Sequence, residues 1–181
     1  MLEDALLRAR FNRGHRDVLP RIYEKYKHEL VTLAAALLYD KSKAQDAVHD
    51  VFIALLDTKR QLKIRHTLKG YLATAVANAA RSSNRAYVRA VQNESSGQFS
   101  DELTRPDTQA ASDEMKGHLL KALAELPYEQ REVIMLRIFS GLKFRTIAKS
   151  QNVLLNTVQG RYRYGLEKLR AILNETTNEH K

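Results

Sequence analysis

Polar side chains at helical spacing in the segment AQDAVHD form the first set that could do chemistry. Asp46, His49 and Asp50 would share one face of a helix, and two carboxylates with an imidazole can bind a metal ion. No further ligand stands at a suitable spacing, so a face that docks on a partner protein is the favoured interpretation. The sequence also lacks a Gly-rich phosphate loop and a nucleophile with an evident base. We therefore expect neither catalysis nor a metal or other cofactor.

A second set lies in TIAKSQNVLLNTVQGRYRYGLEKLR, residues 146 to 170. A helix-turn-helix needs a small residue where its helices touch, a left-handed turn residue and a β-branched residue behind the second helix, and Ala148, Asn152 and Val158 fit in that order. A plain helical hairpin has the same packing needs. The basic flank favours DNA binding, with Gln159 suited to a base edge and the cations suited to phosphates. Those cations are Arg161, Arg163, Lys168 and Arg170.

Basic side chains form a third set, because residues 58 to 93 hold eight of them and no acidic one. Arg81, Arg85 and Arg89 repeat every fourth residue, which places them in one ridge along a helix. Tyrosines, Tyr71 among them, lie near these cations, and the combination suits single-stranded nucleic acid because bases stack on aromatic rings. Core tyrosines beside a solvated basic face are the alternative interpretation.

The acid-free segment is followed by a connector of opposite charge. Residues 94 to 114 hold six acids against Arg105 alone, and residues 115 to 181 are basic again, with twelve basic and six acidic side chains. The stretch 91 to 114 has no sustained period, so we expect a flexible linker between two domains. The formal net charge is +9, and its distribution in two basic pieces on either side of an acidic one predicts two polyanion-binding surfaces on one chain.

Composition indicates a folded, helix-rich protein. Of the 181 residues, 44% are hydrophobic, and there are only 3 Pro and 7 Gly. Cys is absent, which excludes a disulfide framework and a thiolate metal site. The opening residues lack a secretory pattern, and the longest apolar run, LVTLAAALLY, is about half of a membrane span. We expect a cytoplasmic protein.

Apolar residues at helical spacing predict helices throughout the first half of the chain. Asp17 is expected to cap a helix over residues 18 to 39, and Ser42 with Gln45 forms a capping-box pattern before the next helix. Thr67 is expected to cap a third helix that runs to about residue 90. The second of these helices has a one-sided apolar stripe of Ala47, Val48, Val51, Phe52, Leu55 and Leu56.

The second half is also predicted to be helical. Helices are expected over residues 115 to 125, 127 to 140 and 142 to 150, with Gly141 as a left-handed stop. Asn156 is expected to cap the last helix. The sequence therefore predicts an all-α fold of two small helical domains, residues 1 to 90 and 115 to 174, joined by the linker 91 to 114 and followed by a polar tail, 175 to 181.

Three stretches in this order carry a resemblance to a known family. They are AQDAVHDVFIALL, GYLATAVANAARSSNR and ELPYEQREVIMLRIFSGLKFRTIAKSQNVLLNTVQGRYRYGLEKLR. The chain resembles bacterial RNA polymerase sigma factors of the extracytoplasmic-function (ECF) type, the two-domain members of the sigma-70 family. The resemblance covers about residues 14 to 90 and 115 to 172. It implies a promoter-specificity subunit of RNA polymerase.

The resemblance also implies a role for each domain. The first would dock on the clamp helices of the polymerase's largest subunit and would open and hold the minus-10 promoter element. The second would read the duplex minus-35 element, and the acidic linker would follow the RNA exit path. Core polymerase, including its flap, and promoter DNA are the implied partners, with an anti-sigma factor as a further candidate.

The implied polymerase-docking residues are Asp46, His49, Asp50 and Phe52. Those for the minus-10 element are Lys59, Arg60, Lys63, Arg65, Tyr71, Asn78, Arg81 and Arg85. Those for the minus-35 element are Arg145, Asn156, Thr157, Gln159, Arg161, Tyr162 and Arg163.

Some positions depart from the family pattern. His49 stands where Gln is usual and Tyr71 where Trp is usual, while Gly160 interrupts the recognition helix at a cost of roughly 1 kcal/mol relative to Ala. Two other functions are compatible with the residues. A stand-alone helix-turn-helix regulator would bind duplex DNA without polymerase, and a helical adaptor would bind RNA through its basic faces with steep salt dependence.

Overall fold

The computed structural model of the chain describes residues 2–57, 63–65, 67–93 and 111–178. Within these ranges the regular structure is helical, as the sequence predicts. The first half contains α1 (Leu2–Asn12), α2 (Leu19–Leu37), α3 (Ala44–Asp57) and α4 (Leu68–Asn93), with short 3-10 turns at Arg16–Val18 and Lys41–Lys43. The second half contains α5 (Ala111–Ala124), α6 (Tyr128–Ile134), a π-helical segment (Met135–Phe139), α7 (Phe144–Gln151) and α8 (Leu155–Asn178).

The first domain is a bundle in which α2, α3 and α4 pack against one another. Their apolar residues recur at helical spacing, so each helix buries one stripe. Ile22, Leu33 and Val76 are at most 1% exposed at the centre of this bundle. The helix α1 was not predicted from the sequence, and it covers one end of the bundle through the buried side chains of Leu7 and Phe11.

Helix starts in the first domain differ from the sequence prediction in two of three cases. Asp17 does not cap α2, because it lies within a 3-10 turn and its carboxylate accepts a hydrogen bond from Arg10 at 2.6 Å. Ser42 does not form the predicted capping box, because Asp40 accepts from the Ser42 amide at 3.1 Å and starts a 3-10 turn before α3. The Thr67 hydroxyl accepts from the Gly70 amide at 3.1 Å, so the predicted cap of α4 is confirmed.

The second domain is built around α8, which contacts α5, α6 and α7. Ile147 and Val158 are fully buried between the helices of the turn motif. Gly165 allows α8 to lie close to α6, because a Cβ atom at this position would lie 2.9 Å from Ile134 Cδ1. Gly141 has a φ of 66°, which confirms the left-handed stop predicted at that position.

Several helix boundaries in this domain also differ from the prediction. Asn156 lies inside the first turn of α8, since the Leu154 carbonyl accepts hydrogen bonds from the amides of Thr157 and Val158. The last helix continues to Asn178, through most of the segment predicted to be a polar tail. The predicted linker, 91 to 114, is wrong at its two ends, because residues 91–93 belong to α4 and residues 111–114 belong to α5. Its middle, residues 94–110, lies outside the described residues.

The two domains contact each other along α2 and α4. Helix α2 touches α5 and α6, and α4 touches the π-helical segment. At one such contact Gly70 lies so close to Leu142 that a Cβ atom would come within 2.8 Å of its Cδ2. Across the same boundary the Lys69 ammonium lies 5.2 Å from the centre of the Phe139 ring. No helix within the described ranges is both long and apolar enough to cross a membrane.

Candidate polymerase and nucleic-acid interfaces

The exposed face of α3 carries the predicted docking residues. Asp46, His49 and Asp50 are all exposed, and Ile53 beside them is 42% exposed. Phe52 does not share this face, because it is 6% exposed and its ring packs edge-on against Tyr23 with centroids 5.0 Å apart. Phe52 is buried because it belongs to the apolar stripe of α3, and this stripe faces the core. Leu56, predicted as part of the buried stripe, is instead 55% exposed, so the available face is acidic with two exposed apolar side chains, Ile53 and Leu56. Across the described part of the chain, no group of three His, Cys, Asp or Glu side chains could hold a metal ion.

The loop before α4 presents cations on both sides of a buried anchor. Lys63 and Arg65 are exposed, whereas Ile64 between them is 5% exposed. Asn12 holds this point by donating to the Ile64 carbonyl at 3.1 Å and accepting from the Ile64 amide at 2.8 Å. This role of Asn12 was not predicted from the sequence, since Asn12 and Ile64 are 52 positions apart. The predicted residues Lys59 and Arg60 lie outside the described residues.

Helix α4 positions the other predicted minus-10 residues. Tyr71 is half-buried, and burial raises the pKa of its phenol. Asn78 is exposed and accepts from Arg81 at 3.1 Å. Arg85 and Arg89 project into solvent along the predicted ridge. The neighbouring Asn84 was missed from the sequence; it is 6% exposed, donates to the Leu37 carbonyl at 2.8 Å and accepts from the Tyr39 amide at 2.9 Å.

The helix-turn-helix is formed by α7, a left-handed turn at Asn152 and α8. Asn152 has φ 54° and ψ 47°, as predicted, and the Val153 amide donates to the Ala148 carbonyl at 3.1 Å to close the turn. Most of the predicted minus-35 residues are exposed on this unit. They are Arg145, Asn156, Thr157, Gln159 and Arg163.

Two predicted minus-35 residues are half-buried and contact other side chains of the domain. The Tyr162 ring packs against Phe144 with centroids 5.1 Å apart, so Tyr162 braces the motif. Arg161 is half-buried and donates to the Gln151 Oε1 atom at 3.1 Å. Its guanidinium lines a groove of about 460 Å³ between the domains, which α4 and α6 also line.

A buried ion pair joins the two domains at this groove. Arg81 Nη2 on α4 lies 2.5 Å from Glu132 Oε1 on α6, and Glu132 is only 2% exposed. Burial raises the pKa of Glu132, and the hydrogen bond and charge of Arg81, with the charge of Arg161, act in the opposite direction. The pairing of a predicted DNA-binding arginine with the other domain was not foreseen from the sequence.

Family models match both domains of the chain. The model described as Sigma-70 region 2 matches residues 22–90, and the model described as Sigma-70, region 4 matches residues 117–169. The first range contains α3 and most of α2 and α4, and the second contains α6, α7 and the first half of α8. Together they contain both basic surfaces.

Similar proteins extend over nearly the whole chain. The RNA polymerase sigma factor CarQ of Myxococcus xanthus is 25% identical over 92% of this chain and 95% of its own length. The RNA polymerase sigma-H factor of Pseudomonas aeruginosa is 23% identical over 88% of each chain.

Solved structures share the fold. The sigma factor RpoE from Bartonella quintana, in a co-crystal with the anti-sigma factor NepR, is 25% identical with a TM-score of 0.72 and covers 90% of this chain and 98% of its own. CnrH, solved in complex with the cytosolic domain of CnrY, is 20% identical with a TM-score of 0.63 over 95% of this chain and 97% of its own. With both domains matched in order, the chain belongs to the sigma-70 family as an ECF sigma factor that acts in transcription initiation.

Proposed function

We propose that this sigma factor brings core RNA polymerase to its promoters by dividing three contacts between two domains, with no catalytic activity of its own. Residues 1 to 90 dock on polymerase and open the minus-10 element, and residues 115 to 174 read the minus-35 element. The segment 91 to 114 links them, and 175 to 181 follow as a tail. Because its partners are polymerase and promoter DNA, we expect the protein to act in the cytoplasm.

The observation that carries the proposal is the separation of one acidic surface from two basic surfaces. The α3 face is acidic, with Asp46 and Asp50 exposed. The loop and ridge of the first domain are basic, and so is the exposed part of the helix-turn-helix. Polyanion contacts need cations, whereas a docking face for a protein does not. The chain can therefore bind polymerase and two DNA elements at once.

For the minus-10 element we propose contacts from Lys59, Arg60, Lys63, Arg65, Tyr71, Asn78, Arg81 and Arg85. A half-buried tyrosine beside exposed cations supports a single-stranded ligand, because an unstacked base can pack on its ring while the cations hold phosphates. The loop cations are positioned for this by Asn12.

For the minus-35 element we propose that the start of α8 enters the major groove, as in other helix-turn-helix proteins. Gln159 is exposed one turn into the helix and suits a base edge, while Arg145 and Arg163 suit phosphates. Arg161 and Tyr162 have structural partners within the domain, so we assign them the positioning of α8. The solved relative bound to NepR supports an anti-sigma factor as a further partner.

The test is transcription in vitro with purified bacterial core polymerase, this protein and DNA fragments that include its own upstream region. Discrete transcripts that need both proteins are the expected result. On such a promoter Gln159→Ala should relax discrimination at one base pair by about 1–3 kcal/mol. Arg163→Ala should weaken binding to all promoter sequences alike. It should also lower the slope of log affinity against log salt concentration by about one. Glu167→Ala, at an exposed acid of the same helix, is the control.

One outcome would favour the stand-alone regulator. That class leaves a footprint on duplex DNA in the absence of polymerase and commonly binds paired half-sites as a dimer. A footprint by this protein alone, with no polymerase-dependent transcript, would overturn the proposal.

A further inference from the structure

We propose that Leu154 contacts the methyl group of a thymine in the minus-35 element, so that this sigma factor recognises part of its promoter through an apolar contact. The inference rests on the proposed function of α8 as the helix that enters the major groove, and it adds one base-reading residue to those named above. Thymine presents its 5-methyl group in the major groove, and an apolar side chain is the kind of group that contacts it.

Leu154 exposes its side chain at the end of α8 that is assigned to DNA. It is 78% exposed, the most of any large apolar residue in the described part of the second domain, and Ile138 follows at 61%. It directly precedes α8, whose early residues Asn156, Thr157 and Gln159 are exposed as well. In a helix-turn-helix the residues at the start of the second helix reach the base edges. An apolar group therefore stands among the polar groups that face the bases.

Leu154 also occupies a position at which local structure favours a polar residue. Its carbonyl accepts hydrogen bonds from the amides of Thr157 at 3.1 Å and Val158 at 3.3 Å, which makes it the N-cap residue of α8. Ser, Thr, Asp and Asn are preferred at an N-cap because their side-chain oxygens accept from the free amides of the first turn, and leucine has no such atom. Leucine here lowers the stability of the helix and leaves apolar surface in water. A residue that breaks a local rule without a packing gain is expected at a functional site.

Hydrogen bonds hold the backbone on both sides of Leu154. Before it, Asn152 takes the left-handed conformation and the Val153 amide donates to the Ala148 carbonyl at 3.1 Å. After it, the two bonds to its own carbonyl start α8. A side chain on a backbone that is already ordered loses less conformational entropy on binding. More of the contact energy then remains for discrimination between bases.

The chemistry of the side chain and of its neighbours limits what Leu154 can contact. An aliphatic group has no donor for a phosphate or for a base edge. A docking site for another protein has an apolar core of several residues, whereas Leu154 is followed by exposed Asn156, Thr157 and Gln159. One apolar group among polar ones matches a single methyl group in a groove whose other exposed atoms are donors and acceptors.

The spacing between Leu154 and Gln159 limits where the thymine lies. Gln159 is five residues further along the chain, which is about 7.5 Å at 1.5 Å per residue. Successive base pairs are about 3.4 Å apart. We therefore expect the thymine, on either strand, within about three base pairs of the pair that Gln159 contacts.

The experiment uses the full chain, bacterial core polymerase and a promoter found by the transcription test described above. Each thymine of the minus-35 element is replaced in turn by deoxyuridine, which pairs with adenine but lacks the 5-methyl group. Competition between the two promoter forms for limiting holoenzyme measures the ratio of their affinities. For the wild type we expect a loss of about fourfold at one thymine, which corresponds to one buried carbon.

Leu154→Ala should remove this loss at the same thymine. An effect of deoxyuridine on DNA shape would persist in Leu154→Ala, so the comparison isolates the side-chain contact. Ile138→Ala is the matched control, because it truncates another exposed apolar residue of the same domain outside α8. It should keep the wild-type ratio.

Leu154→Ser separates recognition from folding. Its hydroxyl supplies an N-cap acceptor, so the melting temperature should rise above that of the wild type, while discrimination of the methyl group should be lost. A structural role for Leu154 would give the reverse, a lower melting temperature and an unchanged ratio, and would overturn the inference.

Three further results would overturn it. They are a wild type that loses no affinity at any deoxyuridine, an equal loss in the wild type and Leu154→Ala, and a minus-35 element without thymine in the expected interval. Polymerase-dependent transcripts from the wild type in those cases would leave the proposed function intact. Absence of such transcripts would overturn the proposed function, and this inference with it, so the two failures are distinguishable.

Discussion

The Asn12 side chain makes two hydrogen bonds to the backbone of Ile64, one to its carbonyl at 3.1 Å and one from its amide at 2.8 Å. A reciprocal pair of this kind fixes both the position and the orientation of a loop. Here it connects the end of α1 to the loop that presents Lys63 and Arg65. The helix before the region 2 match thus contributes directly to the proposed minus-10 surface.

Replacement of Asn12 by Ala should release this loop. The lost bonds leave two polar groups of Ile64 part-buried without partners, which costs about 1–3 kcal/mol of unfolding free energy. Binding to core polymerase should be retained, because the α3 face is unaffected, while promoter opening should fall. Permanganate reactivity of unpaired thymines at the start site measures the opening. Asn174→Ala, at an exposed position of α8, is the control, and equal opening by the two variants would contradict this role for Asn12.

Charge reversal on α3 should separate docking from folding. Asp50 is exposed, so Asp50→Arg should keep the melting temperature but weaken binding to core polymerase by at least about tenfold, or ~1.4 kcal/mol. Asp57→Arg, at the exposed last residue of the same helix, should bind nearly as the wild type does. Competition with a labelled sigma factor for core polymerase measures the affinity. Normal binding by Asp50→Arg would remove Asp50 from the proposed interface.

Phe52→Ala is expected to act by a different mechanism. Its ring is buried against Tyr23, so truncation leaves a cavity and costs about 3–5 kcal/mol of unfolding free energy. Loss of polymerase binding should then follow loss of folded protein, as circular dichroism melts would show. A stably folded Phe52→Ala protein that fails to bind polymerase would instead favour direct contact.

The sequence predicts the elements of this fold better than the relationships between them. Asn152 and Gly141 were predicted because a left-handed residue is needed where a helix must stop, and local geometry decides that. The caps at Asp17 and Ser42 were wrong because 3-10 turns precede both helices and shift their starts. Periodicity alone cannot say which neighbour a side chain meets.

The partners of the candidate interface residues were harder to predict from the sequence than the helices were. The ridge pattern predicted that Arg81 lies on a basic helix face, but its partner Glu132 is 51 positions away in another domain. Phe52 fitted both the apolar stripe and the docking motif, and only packing against Tyr23 decides between them. Long-range pairs of this kind depend on how the domains dock, which no local period encodes.

Two glycines of α8 should respond to Ala in opposite directions. At Gly160 nothing lies within 4 Å of an added Cβ, so Gly160→Ala should stabilise the helix by about 1 kcal/mol. At Gly165 the added Cβ would lie 2.9 Å from Ile134 and 3.1 Å from Gln130, so Gly165→Ala should destabilise by about 1–3 kcal/mol through overpacking. Denaturant unfolding of the two variants measures the difference, and each is the control for the other. A stabilised Gly165→Ala variant would contradict the close approach of α6 and α8.

The buried carboxyl of Glu132 should make stability depend on pH. Burial raises its pKa above the ordinary value of about 4.5, against the opposing influence of Arg81 and Arg161. The folded protein therefore retains this proton at pH values where the unfolded chain has released it. The resulting stabilisation is fully present below the unfolded pKa and is lost as the pH rises through the folded pKa.

Glu132→Gln has no proton to lose at this position. The unfolding free energy of the wild type relative to Glu132→Gln should thus decrease as the pH rises from about 4.5 through the raised pKa.

Denaturant titrations of both proteins at a series of pH values test this sign, because the other titrating groups contribute equally and cancel in the difference. Glu129→Gln should give a flat difference, since Glu129 is exposed. A difference that rises with pH would mean that the attraction to Arg81 outweighs the cost of burying the charge. In that case the ionised Arg81–Glu132 pair would stabilise the folded protein more at neutral pH than at pH values near 4.5.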